Sequence, residues 1–169
     1  MNQVAIGLGS SLGNRRRAIE LAIRQLERMP GTTLWRTSRL YRTPPMRGGS
    51  ARGWFLNAVA VFHTTGTPEQ WLQACVDLEA RADRRRAGHW GDRTLDLDLL
   101  IFGSVTSEDP LLTLPHPGIA HRPFVWLPLI EAWPDSIDPN SGIPWSDHAA
   151  PSGPRPVPVG AVARPFRAR

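Results

Sequence analysis

The hydrophobic pattern switches repeatedly between a strand period and a helix period. Residues 4–8, Val-Ala-Ile-Gly-Leu, form a short apolar run that predicts a buried first strand. The small and polar stretch Gly9-Ser10-Ser11-Leu12-Gly13-Asn14 is a turn, and Asn14 can cap the helix that follows. Over residues 15–29, Ile19, Ala22, Ile23 and Leu26 return at i, i+3, i+4 and i+7, one face of a helix that Pro30-Gly31 stops. Residues 32–42 alternate: Leu34, Arg36, Ser38 and Leu40 oppose Trp35, Thr37, Arg39 and Tyr41, which predicts a strand. Pro44 and Pro45 end it, because neither donates a backbone hydrogen bond. A partner strand is expected over 54–63. A second helix then starts with Thr67 as N-cap and Pro68 at its first position, has Leu72, Val76 and Leu78 as its apolar face, and ends near residue 83. A strand over 94–102 follows a long polar loop, and 111–115 and 122–130 read as short irregular segments.

The order β-α-β-β-α-β predicts an α+β fold, a ferredoxin-like α/β sandwich in which an antiparallel sheet carries helices packed on it. Residues 1–150 read as one domain. Residues 151–169 are rich in Pro and Arg and poor in large apolar groups, so a disordered tail is expected. The chain has 169 residues and 41% hydrophobic content, enough to bury a core without disulfides or metals. One cysteine, Cys75, excludes an internal disulfide and a multi-cysteine zinc site, and fits a reducing, cytoplasmic location. No run of 18 apolar residues predicts a membrane helix, and the first residues do not read as a secretory signal.

All 20 basic residues are arginine, which excludes a P-loop lysine and a Schiff-base lysine. The net charge of +5 is concentrated in residues 151–169, which hold four arginines and no acid, leaving the rest of the chain close to neutral. That weakens a nucleic-acid reading based on charge alone.

Candidate chemistry centres on Arg93-Thr94-Leu95-Asp96-Leu97-Asp98-Leu99. A strand would put Asp96 and Asp98 on one face, with Cα atoms about 6.6–7 Å apart, and the leucines on the other. Such a pair is either the wet face of an amphipathic strand or a cation site, and Mg²⁺ with phosphate oxygens suits it. The loop Arg84, Arg85, Arg86, His89 and Arg93, with Trp90 inside it, offers planar guanidinium forks to phosphate, or is a solvated charge run. Glu79, just before it, could anchor an arginine or face solvent. Gly7-Leu8-Gly9-Ser10-Ser11-Leu12-Gly13 has GxGxxxG spacing, and no acid ends the following strand, so this turn reads as mainly structural rather than dinucleotide-binding. Phe55 and Phe124 could sandwich a flat heterocycle whose edge Asn57 reads, although each Phe taken singly is more often core. His116, in Pro-His-Pro, could touch phosphate. An RNA-binding module is the competing class. The expected aromatic pattern on neighbouring strands is missing, and the Asp pair would repel phosphate without a metal.

Five segments appear together and in order: Gly9-Ser10-Ser11-Leu12-Gly13-Asn14-Arg15, Tyr41-Arg42-Thr43-Pro44-Pro45, Phe55-Leu56-Asn57-Ala58, His89-Trp90-Gly91-Asp92-Arg93-Thr94-Leu95-Asp96-Leu97-Asp98, and Leu114-Pro115-His116-Pro117 with Arg122-Pro123-Phe124. Over residues 3–145 the sequence resembles the 6-hydroxymethyl-7,8-dihydropterin pyrophosphokinases of folate synthesis. The resemblance implies transfer of the β,γ-diphosphate of ATP to the pterin hydroxymethyl oxygen, with release of AMP. It implies that Asp96 and Asp98 hold two Mg²⁺ ions, that Arg84, Arg86 and Arg93 clamp phosphates, and that Trp90 closes over the site. His116 and Arg122 would contact ATP, and Leu72, Glu79, Leu99, Leu112 and Thr113 would border the nucleotide. The pterin would stack between Phe55 and Phe124, with Asn57 and the backbone of Thr43, Pro44 and Met46 reading its edge. Small-molecule substrates, no nucleic-acid or membrane partner and a monomer are expected. Ser11 stands where the family usually carries Asn, His89 where it carries Arg, and Asp92 where it carries Pro.

Overall fold

A computed structural model describes residues 1–45, 53–82 and 92–163. Met46, Arg84, Arg85, Arg86, His89 and Trp90, singled out by the sequence, lie outside these described residues.

The elements run β1 (Asn2–Ser10), α1 (Arg15–Glu27), β2 (Thr32–Thr37), β3 (Arg39–Thr43), β4 (Phe55–Thr64), α2 (Pro68–Arg81), β5 (Asp96–Phe102), β6 (Ser107–Asp109), β7 (Leu112–Leu114), α3 (Gly118–His121), α4 (Pro123–Ala132), a 3-10 turn (Trp145–Asp147) and β8 (Val157–Ala161). The main sheet is antiparallel, ordered β5-β1-β4-β3-β8, with β2 also on β4. The stretch 32–42, expected as one strand, is a strand broken at Ser38. Its backbone N–H donates to the Val59 carbonyl and its hydroxyl accepts from the Val59 N–H, both at 2.9 Å. β2 thereby pairs with the far end of β4 and β3 with the near end.

Two layers of helix cover the sheet. α1 and α2 pack one face, where Ile19, Ile23, Leu26, Trp71 and Cys75 join Ile6, Leu8, Phe62, Leu97 and Leu99. Asn14 caps α1 through its side chain, and Thr67 and Gln70 form a capping box on α2, as their sequence positions predict. The apolar face of α2 is displaced from the expected one: Trp71, Cys75 and Glu79 are buried, while Val76 is 49% exposed. The Trp71 indole sets that rotation, since it packs on Phe62 and donates to the Thr64 hydroxyl at 3.2 Å.

α4 covers the opposite face through Val125, Leu129 and Ala132 against Ala5, Val59, Val61 and Ile101. This helix corrects the irregular segment expected over 122–130. Its sequence is apolar nearly all round and carries Pro128 internally, so no amphipathic stripe marks it. Pro123 at its first turn needs no hydrogen-bond donor there. Arg39 and Tyr41 of β3 both bond Glu131, tying α4 to β3.

The disordered tail expected over 151–169 is also corrected where it is described. β8 pairs antiparallel with β3 from Arg39↔Ala161 to Arg42↔Val157, and Val162 is buried in the main core. Backbone pairing, which composition does not report, orders this segment, whose strand side chains are all exposed. Among the described residues, no helix is long and apolar enough to cross a membrane.

Candidate active site

β5 is an edge strand, and its two faces have opposite characters. Leu95, Leu97 and Leu99 enter the core, while Asp96 and Asp98 face a cavity of about 220 Å³ on the α4 side of the sheet. A bulge at Leu100 ends this alternation: Ile6 pairs with Leu99 but Ala5 with Ile101, so Leu100 and Ile101 both turn to the α4 layer.

Ten residues that the sequence nominated line this one cavity: Thr43, Pro44, Phe55, Asn57, Arg93, Asp96, Asp98, His116, Arg122 and Phe124. They divide into a charged half and a flat, mostly apolar half. In the charged half, the Arg93 guanidinium donates to Asp96 at 2.6 Å, and His116 Nε2 and Arg122 Nη1 stand 3.8 and 3.9 Å from the Asp98 carboxylate. Burial, and then the neighbouring Asp96, push the Asp98 carboxyl above its ordinary pKa, against the opposing pull of His116, Arg122 and Arg93. Burial holds the His116 imidazole below its ordinary value, and Arg122 adds to that. His116 Nδ1 accepts from the Gly118 N–H at 2.9 Å, so the neutral ring carries its proton on Nε2, toward Asp98.

In the other half, Asn57 is buried and donates to the Thr43 hydroxyl at 2.8 Å. Phe55 and Phe124 are half-buried, each with part of its ring left to the cavity. Thr43 comes from β3, Phe55 and Asn57 from β4, and Phe124 from the first turn of α4.

Gly7 and Gly9 line a small pocket that adjoins this cavity and shares Asn57, Asp96, Asp98 and Phe124 with it, a role the sequence reading of a mainly structural turn missed. Gly9 pairs with both Asn57 and Asp96, and a Cβ there would stand 3.1 Å from Asn57 Oδ1. A Cβ at Gly7, which pairs with Asp98, would stand 3.4 Å from the Leu100 side chain. The signal was available as two glycines at period two inside an apolar strand. Ser11 was also missed. Its backbone N–H donates to the Arg93 carbonyl and its hydroxyl accepts from the Arg93 N–H, both at 2.9 Å, which holds Arg93 at the entrance of β5.

Leu72, Glu79, Leu99, Leu112 and Thr113 do not line the cavity. They lie on α2, β5 and β7, three elements in mutual contact. Leu99 is core, and Leu112 packs against the core. Glu79 is buried, and its carboxylate accepts from the Leu97 N–H at 2.7 Å, on the edge of β5 that faces away from β1.

Among the described residues, no group of three His, Cys, Asp or Glu could hold a metal unaided. Two carboxylates share one strand face open to the cavity, and the charge of Asp96 helps to lift the Asp98 carboxyl. Such a pair fits a cation that completes its shell with water and substrate phosphates. Magnesium is such a cation.

Residues 5–134 match the 7,8-dihydro-6-hydroxymethylpterin-pyrophosphokinase (HPPK) family. The chain belongs to that family. It is 36% identical over 137 residues to the Methylorubrum extorquens 2-amino-4-hydroxy-6-hydroxymethyldihydropteridine pyrophosphokinase, covering 81% of this chain and 86% of that one. With the Pseudomonas aeruginosa protein of the same name it shares 38% over 135 residues, 80% and 83% of the two chains. The HPPK-DHPS of Plasmodium falciparum superposes with a TM-score of 0.58 at 15% identity. That match covers 79% of this chain and 41% of the longer solved chain, and it bears on the fold alone. The architecture common to them is an antiparallel sheet with helices packed on it.

Proposed function

We propose that this cavity is where the chain transfers the β,γ-diphosphate of ATP to the hydroxymethyl oxygen of 6-hydroxymethyl-7,8-dihydropterin, giving AMP and the pterin diphosphate. The chain is a pyrophosphokinase of folate biosynthesis, and ATP is its co-substrate. The observation that carries the placement is the division of the cavity: a paired carboxylate wall flanked by Arg93, His116 and Arg122 faces a wall of two Phe rings and Asn57.

In this reading Asp96 and Asp98 hold two magnesium ions, which when bound neutralise the triphosphate and polarise the attacking hydroxyl. Arg93 and Arg122 present guanidinium donors to phosphate oxygens, and Arg93 is already held in place to meet transition-state charge. Arg93 is preset by Ser11 and by its bond to Asp96. With Nδ1 accepting from the Gly118 N–H, His116 presents Nε2 as the donor to a phosphate oxygen. Asn57 and the backbone of Thr43 and Pro44 read the pterin edge, and Phe55 and Phe124 take its faces. Leu72, Glu79, Leu99, Leu112 and Thr113 border the nucleotide at the α2–β5–β7 junction. The family resemblance assigns Arg84, Arg86 and Trp90 to the phosphates and Met46 to the pterin; all four lie outside the described residues. Nucleophilic catalysis by a side chain has no part, since this transfer needs orientation and charge compensation.

The test is AMP formation by the purified chain. It should require ATP, Mg²⁺ and 6-hydroxymethyl-7,8-dihydropterin together and stop with EDTA. AMP release that ignores the pterin, or that persists in EDTA, overturns the placement.

A further inference from the structure

We propose that residues 151–163 act as a strap that positions the pterin half of the cavity, an inference that rests on the assignment of that half made above. The strap lies outside the 5–134 stretch that matches the family. None of its side chains enters the cavity; it acts through the two walls it joins.

Its path supplies the argument. At the near end, Gly153 is next to the ring of Pro123: a Cβ added there would be in ordinary contact with it, 3.4 Å from Cγ. Pro123 sits between Arg122 and Phe124, the start of the α4 wall. Pro156 is buried, and β8 then runs along the outer edge of β3 from Arg42 to Arg39. Thr43 and Pro44, which form the opposite wall, follow Arg42 directly. At the far end the strap is anchored to α1. Arg16 donates to the Ala161 carbonyl at 2.7 Å, and the Ala163 N–H donates to Glu20 at 3.1 Å. Val162, 6% exposed, enters the same core cluster as Ile19 and Ile23.

Beyond the bonds of Arg39 and Tyr41 to Glu131, β3 has little other hold. Its register with β4 covers Tyr41, Arg42 and Thr43 alone, and its other edge would present open N–H and C=O groups without β8. A strand paired on both edges has less freedom than one paired on a single edge. Thr43 holds Asn57 at 2.8 Å, so looseness at the end of β3 passes to the group that reads the pterin. Of the ATP half, built on β5, His116, Arg93 and Arg122, only Arg122 lies near the strap, through Pro123. The strap therefore governs the pterin substrate more than ATP.

The experiment compares a chain ending at Ala150 with one ending at Ala163, each assayed for KM toward both substrates. The chain ending at Ala150 should show a KM for the dihydropterin raised about ten-fold, with the KM for ATP and kcat within about two-fold. A synthetic peptide of residues 151–163 should restore it. The chain ending at Ala163 should match the full chain. An equal rise in both KM values, or an unchanged pterin KM with a lower melting temperature, makes the segment a cover for the sheet edge and overturns the proposal. Should the shorter chain not fold, Val162→Ala in the full chain loosens the far anchor alone. Faster amide exchange over residues 39–43 should then accompany a pterin KM raised about two- to three-fold. Faster exchange with an unchanged pterin KM also overturns the strap. Phe124→Ala in the full chain is the control on the cavity itself: if it leaves the pterin KM untouched, the site assignment fails, independently of what truncation does.

Discussion

Asp98→Asn separates what the carboxylate pair does for the fold from what it does for the reaction. The Asp98 side chain is one-third exposed, with His116 Nε2 at 3.8 Å and Arg122 Nη1 at 3.9 Å, both beyond hydrogen-bond range. Burial and Asp96 raise its carboxyl pKa more than His116, Arg122 and Arg93 lower it. The folded protein therefore binds this proton more tightly than the unfolded chain does. The stabilisation this gives is present in full below the ordinary Asp value of about 3.9 and is lost as pH rises through the raised folded value. At neutral pH without metal, ionised Asp98 costs stability, and an amide of the same shape does not. In EDTA at pH 7, Asp98→Asn should melt at or above the unmodified chain, and the gap should close as the pH is brought to about 4. Turnover should move the opposite way. Without one carboxylate, the phosphate charge is poorly compensated, a loss of about 10²–10³ in AMP formation. Mg²⁺ with a non-hydrolysable ATP analogue should raise the melting temperature of the unmodified chain but much less that of the variant. Calorimetric melting and an AMP assay on one preparation read both effects. Activity within ten-fold of the unmodified chain refutes the metal assignment, and a melting drop of several degrees in EDTA refutes the electrostatic reasoning.

Two further substitutions test other parts of the site. Phe124→Ala should weaken dihydropterin binding by about 5- to 150-fold, the equivalent of 1–3 kcal/mol of stacking and burial, while ATP binding measured by calorimetry stays nearly unchanged. Equal loss of both ligands with a large melting drop would return Phe124 to the core. Glu79→Ala leaves the buried Leu97 N–H without its 2.7 Å acceptor. It should cost about 1–3 kcal/mol in denaturant unfolding and lower kcat, because Leu97 sits between Asp96 and Asp98, whereas Glu79→Gln should recover much of both. Unchanged kcat in Glu79→Ala would confine Glu79 to stability.

Segments with a strict period and a chemical stop were legible in the sequence. α1 has four core residues at helical spacing between an Asn cap and Pro30-Gly31, and β5 alternates from Leu95 to Leu99 before its bulge, so both appear close to where expected. The missed elements lack one of these marks. α4 buries apolar residues without a polar stripe and carries Pro128 inside, so period counting finds nothing. Leu78 packs against the core as expected, but Val76 is exposed, because the α2 face is anchored by Trp71, whose N–H finds Thr64. β8 could not be read from composition. Its order comes from backbone pairing with a strand more than 100 residues away in sequence, and among the described residues beyond it only Val162 is apolar and buried.

The residues that line the cavity were easier to pick out in the sequence than the elements that carry them, because chemistry constrains residue type more tightly than packing does. A core position accepts any apolar side chain of about the right volume. A carboxylate pair on one strand face, a buried Asn beside two Phe rings, and arginines without lysine do not interchange so freely. What the sequence could not supply was the distance between them: the cavity wall comes from β3, β4, β5, the segment after β7 and the first turn of α4. The groups that make those distances possible are chemically silent. Gly7 and Gly9 contribute only the absence of a side chain, Ser11 a backbone clamp on Arg93, and Glu79 an acceptor for one strand N–H. Each is a plain residue until its partner is known. Ser11 shows how little such a role requires. Holding Arg93 takes one N–H donor from the backbone and one acceptor within reach, and the serine hydroxyl provides that acceptor at 2.9 Å.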